Sequence, residues 1–102
     1  MIIREKGLYD LPRDFVKVVA DIERKILSAG CELHIDCAEE LLVDDSESKN
    51  LWGANVSLDE GKIEFVSMIN IRPAAGNRDM EIQSPEIRAS VEGVIRSLLF
   101  PV

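Results

Sequence analysis

The chain has a single histidine, no cysteine pair at CxxC spacing, no phosphate-loop motif, and no apolar run approaching the roughly 18 residues that a membrane helix needs. Without a further histidine or a thiolate at ligand spacing, no metal site is expected, and no cofactor. The first residues, Met1-Ile2-Ile3-Arg4-Glu5-Lys6, turn charged after three positions and lack the apolar core of a signal peptide. A cytoplasmic location is expected. Basic residues are also in short supply: 12 against 19 acidic ones give a net charge of -7, which repels polyanions. Nucleic-acid binding and anionic-membrane binding are therefore disfavoured. The two cysteines, Cys31 and Cys37, fall on what reads as one extended strand. Six residues at about 3.3 Å each would hold them roughly 20 Å apart, so they are expected to be small buried thiols.

What is present suits one globular domain spanning residues 1–102. A chain that is 46% hydrophobic and 30% charged can bury a core at this length without staples. A helix is predicted from about Asp10 to Ala29, because Leu11, Phe15, Val18, Val19, Ile22 and Ile26 recur at three- and four-residue steps. Asp10 would cap it, and Gly30 would end it in the left-handed region.

From Cys31 to Val43 the pattern alternates. Cys31, Leu33, Ile35, Cys37, Leu41 and Val43 are apolar, and Glu32, His34, Asp36 and Glu40 are polar, as on a half-buried strand. A competing reading starts a short helix at Asp36, with Glu39 completing a capping box, so residues 37–43 are strand or short helix. The acidic run 44–50 reads as a solvated, mobile loop. Leu51–Ser57 and Lys62–Ile71 read as a hairpin, with Trp52, Ala54, Val56, Ile63, Phe65, Ser67, Ile69 and Ile71 on its inner face. Ser84, Pro85 and Glu86 open a last helix that Pro101 ends. The predicted fold is a two-layer α+β domain: an antiparallel three-stranded meander, with a short fourth edge strand at Met1–Arg4, and two helices packed on one face.

Gly30–Cys37, Leu51–Asn55, Lys62–Phe65, Ile69–Pro73 and Gly76–Arg78 resemble a family of small microbial proteins, about one hundred residues long, that form a domain of unknown function. The resemblance extends over nearly the whole chain. It implies a single small cytoplasmic domain and carries no activity, cofactor or catalytic residue.

Two clusters invite a ligand. In the loop after the meander, Arg72 and Arg78 offer forked donors for a small anionic ligand, with Asn70, Asn77 and Glu81 beside them. The same arginines would serve equally as structural ties to Asp79, Glu81 or the acidic loop. On a strand, Glu32, His34 and Asp36 would share a face, as two or three metal ligands lacking a further partner, as a proton-relay strip, or simply as a solvated edge, the last being favoured. The meander would hold the two clusters roughly 45 Å apart, which disfavours one shared site unless the short-helix alternative holds and the second strand pairs differently. The outer face, with Val66 and Met68 beside Gly53, suits a homo-oligomer contact.

These observations predict a non-enzymatic binding or protein-interaction module whose recognition loop runs from Arg72 to Glu81. The alternative is a small enzyme acting on an anionic metabolite held by Arg72 and Arg78, with Glu81 or Glu64 as acid or base.

Overall fold

Between Val16 and Ala29 the chain doubles back as a hairpin instead of running on as a helix. The computed structural model describes residues 1–100 and places strand β2 at Val16–Asp21 and β3 at Ile26–Ala29. The β-branched residues Val16, Val18 and Val19 favour this extended form. Asp21 makes the turn: its Oδ1 accepts from the Glu23 and Arg24 amides at 3.0 and 2.9 Å, and Lys25 closes it at φ 58°. The helical spacing was a by-product of burial on both faces. Val16, Val18 and Ala20 point to one side and Val19 to the other, which erases the period of two. Gly30 does take the left-handed conformation, at φ 86°, but it closes β3 rather than a helix.

Residues read as a long strand form helix α1, His34–Val43. Ala38-Glu39-Glu40-Leu41-Leu42 are strong helix formers, and their propensity outweighs the apparent alternation. The helix starts two residues before the position proposed for a short helix, and its N-cap, Leu33, supplies no side-chain bond.

The sheet has five antiparallel strands in the order β1-β3-β2-β4-β5, with β1 at Ile2–Ile3, β4 at Leu51–Ser57 and β5 at Lys62–Glu64. The N-terminal edge strand and the β4–β5 hairpin agree with expectation. The second hairpin strand stops at Glu64 instead of Ile71, and two 3-10 turns follow, Met68–Asn70 and Pro73–Ala75. Helix α2, Pro85–Leu99, opens as predicted with the Ser84 hydroxyl accepting from the Ile87 amide. Pro101, expected to end it, lies outside the described residues.

The helices lie on opposite faces, so the fold has three layers rather than two. α2 seals Val18, Ala20, Leu27, Trp52, Ala54 and Val56, whereas α1 seals Val19, Ile26 and Leu51 through Cys37, Ala38 and Leu41. The acidic run after α1 is anchored rather than free. Asp44 accepts from Arg4 and Arg24, and Arg24 also donates to the Ser46 hydroxyl.

Candidate functional site

The loop from Asn70 to Glu81 spends most of its polar groups on itself and on β4. Beyond β5's reach, the outer edge of β4 would present bare backbone groups, and side chains take the place of a strand there. The Asn70 amide accepts from the Gly53 N–H at 2.8 Å and donates to the Gly53 carbonyl at 3.0 Å, and it also donates to the Met80 carbonyl at 3.1 Å. Arg72 donates to the carbonyls of Leu51 and Ile69, and its guanidinium lies over the Trp52 ring, 4.6 Å from the centroid. Partial burial lowers its pKa from the ordinary arginine value. Asn77 is buried and donates to the carbonyls of Asn70, Asp79 and Glu81, while its own Oδ1 accepts from the Gln83 amide. Gly76, at φ 80°, makes the turn that lets the Arg72 and Asn77 backbones pair. Arg78 is exposed, and Glu81 meets Arg88 at 3.5 Å. Asn70, Arg72 and Asn77 therefore form one knot that completes the sheet edge. Arg72 Nε and Nη2 are committed to those carbonyls, while its buried Nη1 has no hydrogen-bond partner among the described residues.

The strip of Glu32, His34 and Asp36 does not exist as a single face. Glu32 lies in the loop before α1, where its carbonyl accepts from Lys17 Nζ at 2.8 Å. His34 and Asp36 are two residues apart on a helix, about 200° around it. The His34 ring turns inward, with Nε2 2.8 Å from the Ala54 carbonyl, and desolvation by burial lowers its pKa. Asp36 faces outward. The expected 45 Å between the clusters also falls, because His34 touches Ala54 and Arg72 touches Leu51 on the same strand. Three residues along a strand span about 10 Å.

Two features on the α1 side escaped the sequence reading. The first is a groove of about 620 Å³ between β1 and α1, lined by Met1, Ile2, Asp36, Glu39, Glu40, Val43 and Asp44. Glu40 and Asp44 are held there. Ser28, then the Met1 amino group, keeps the Glu40 carboxyl below its usual pKa, and Arg4, then Arg24, does the same for Asp44. Asp36 and Glu39 make no ion pair among the described residues.

The second feature is a disulfide between Cys31 and Cys37, whose Cα atoms are 5.7 Å apart. This overturns the expectation of separate thiols, which rested on the long strand. With Cys37 on α1, the helix folds it back over the loop that carries Cys31. Cys37 is fully buried and Cys31 is half-buried. One oxygen of Glu40 and the two sulfurs all lie within 4.8 Å of one another. The six-residue spacing was the visible signal, and it becomes meaningful only once the segment between the cysteines is known to be helical.

Residues 6–98 match the model of a family described as a protein of unknown function (DUF5674), and the chain belongs to that family. No curated protein and no solved structure matches it.

Proposed function

We propose that the protein is a non-enzymatic interaction module that docks a cationic, amphipathic segment of a partner protein on its α1 face. One observation carries this reading. Of the ten large apolar side chains that are exposed among the described residues, four lie on α1 or at its start, Leu33, Ile35, Leu42 and Val43, and a fifth, Met68, sits in the 3-10 turn that packs against this helix. Val43 is 88% exposed and Met68 76%. Carboxylates surround them. Asp36 and Glu39 have no ion-pair partner among the described residues, and the whole chain carries -7, so the complementary occupant is positively charged with an apolar stripe. The groove beside Val43 gives such a segment room for an anchor side chain.

We place the recognition surface on α1 rather than on the Arg72–Glu81 loop, because Asn70, Asn77 and two of the three Arg72 guanidinium nitrogens are committed to the loop and to β4. For the enzyme alternative, the exposed Arg78 and the Nη1 of Arg72 remain as anion donors. Self-association through Val66 and Met68 is the second reading, favoured by the exposure of Met68, although Val66 is half-buried and bridged to Glu81.

The test uses a fluorescein-labelled helical peptide of lysine and leucine, followed by polarisation and by amide chemical-shift mapping. Saturable binding is expected, with shifts centred on Asp36, Glu39 and Val43. Val43→Ser should weaken it about tenfold, equivalent to 1.4 kcal/mol, with the melting temperature unchanged. Absence of saturation, or shifts centred on Arg72–Glu81, would overturn the reading. Sedimentation of the free protein addresses the second reading: a concentration-dependent dimer that Met68→Lys dissolves would favour it over the first.

A further inference from the structure

We propose that Cys31, Cys37 and Glu40 form a redox-gated site for a thiophilic divalent cation of the zinc class, closed as the disulfide and open when the pair is reduced. The inference does not depend on the docking face, and its readouts are separate.

The three donors come from two anchored pieces of backbone. Cys37 and Glu40 are three residues apart, on adjacent turns of α1, so their side chains project to the same side of the helix. Packing fixes the first, among Val19, Ile26, Ala38, Leu41 and Leu51. Hydrogen bonding fixes the second, because Glu40 Oε1 accepts from the Ser28 hydroxyl and from the Met1 amino group at 2.9 Å, a cation that an incoming metal ion would displace. A ligating carboxylate oriented in this way has the outer-shell support that metal sites need. Cys31 enters from the loop after Gly30, whose left-handed conformation turns the chain back toward α1. One sulfur and one oxygen are thus held in place irrespective of the disulfide, and the second sulfur is carried on a short loop.

The donor chemistry selects the metal. Two thiolates and a carboxylate carry three negative charges and suit Zn²⁺, which accepts three protein ligands and leaves a fourth tetrahedral position for water. Calcium and magnesium, which prefer all-oxygen shells, are excluded by the sulfurs. Cys31 is half-buried and Glu40 borders the open groove, so ions and reductants have a way in.

The gating step balances without a further cofactor. A dithiol reductant attacks the accessible Cys31 sulfur. The Sγ–Sγ bond breaks, and two electrons and two protons pass to the pair as the reductant closes to its own disulfide. On binding Zn²⁺ the two thiols release their protons to solvent. A low-molecular-weight disulfide reverses the exchange: it takes back two electrons, re-forms the Cys31–Cys37 bond and expels the ion. In compartments that keep thiols reduced the site is open, and in oxidising ones it is closed.

The experiment titrates the full chain, reduced or oxidised, with Co²⁺ and then Zn²⁺ under anaerobic conditions. The reduced protein should bind one Co²⁺ with a thiolate-to-cobalt charge-transfer absorption that one equivalent of Zn²⁺ bleaches. The oxidised protein should show no such absorption, and adding a small-molecule disulfide to the zinc-loaded form should release the ion to a chromogenic chelator. Glu40→Gln should weaken binding at least about tenfold. Cys31→Ser should remove the absorption, and if that variant misfolds, alkylating the reduced wild type should have the same effect. Reduced protein without the charge-transfer band would overturn the site. So would zinc uptake equal in the two redox states, which would mark loose binding to surface carboxylates. Full affinity in Glu40→Gln would overturn the three-ligand assignment.

Discussion

Gly53 is the residue at which the α1 side of the sheet is most tightly specified. A Cβ built there would stand 2.5 Å from the Ser67 Cβ and 2.7 Å from its hydroxyl, so the chain after β5 can cross the sheet face only over a bare backbone. That crossing in turn brings Asn70 to the Gly53 N–H and carbonyl. Gly53→Ala is therefore expected to destabilise the protein by about 1–3 kcal/mol through overpacking, measured by urea unfolding. Adding Ser67→Gly removes the atom in the way, and the double variant should recover part of the loss. A non-additive cycle of this kind identifies contact rather than backbone entropy as the cause, since each glycine change acting alone through the unfolded state would simply add. The loop residues Asn70, Arg72 and Asn77 stood out in the sequence because amides, guanidinium and glycine are the donors and turn formers of binding loops. The same groups serve backbone carbonyls equally well, and residue type alone does not say which acceptor they meet.

At the scale of elements, legibility followed how many faces each one buries. α2 has one buried stripe and a Ser84-Pro85-Glu86 start, and it was read with its boundaries nearly intact. β4 kept its facing, with Trp52, Ala54 and Val56 inward, because the hairpin turn fixed its register. β2 and β3 are covered by helices on both sides, lost their alternation and passed for a helix. α1 failed in the opposite direction: His34 and Ile35 happen to alternate with their neighbours over the only stretch that the disulfide ties down. That tie has a measurable consequence. The loop it closes is short, so the entropy model assigns about 2 kcal/mol to it. Reduction is expected to lower the unfolding free energy by about that amount in metal-free buffer. Amide hydrogen exchange should quicken first in α1, while β2 and β4, at the centre of the sheet, stay protected. Uniform acceleration through every element would instead mean that α1 and the sheet unfold as one unit.

For the molecule as a whole, the excess of acid makes pH the most direct probe of how the layers are joined. His34 links α1 to β4 in its neutral form, and burial lowers its pKa below the ordinary 6.5. The unfolded chain therefore takes up a proton at a pH where the folded one still resists it, and stability must fall as pH drops below about 6.5. Glu40 and Asp44 act lower on the scale. Both tie α1 or its C-terminal end to other elements, Glu40 to Ser28 on β3 and Asp44 to Arg4 and Arg24, and both have pKa values lowered from the usual 4.5 and 3.8. Their contribution is complete above those values and is lost as pH falls through the lower folded ones. Two declines are thus expected in the melting temperature, one starting near pH 6.5 and a steeper one below about pH 4.5. His34→Gln should flatten the first and leave the second. Asp44→Asn should lower stability at pH 7 and shrink only the second, and added salt should weaken that effect because these pairs are partly exposed. A wild-type profile that stays level between pH 7 and 5 would show that the His34 ring titrates as it would in water, and that the Ala54 contact does not hold α1 against the sheet.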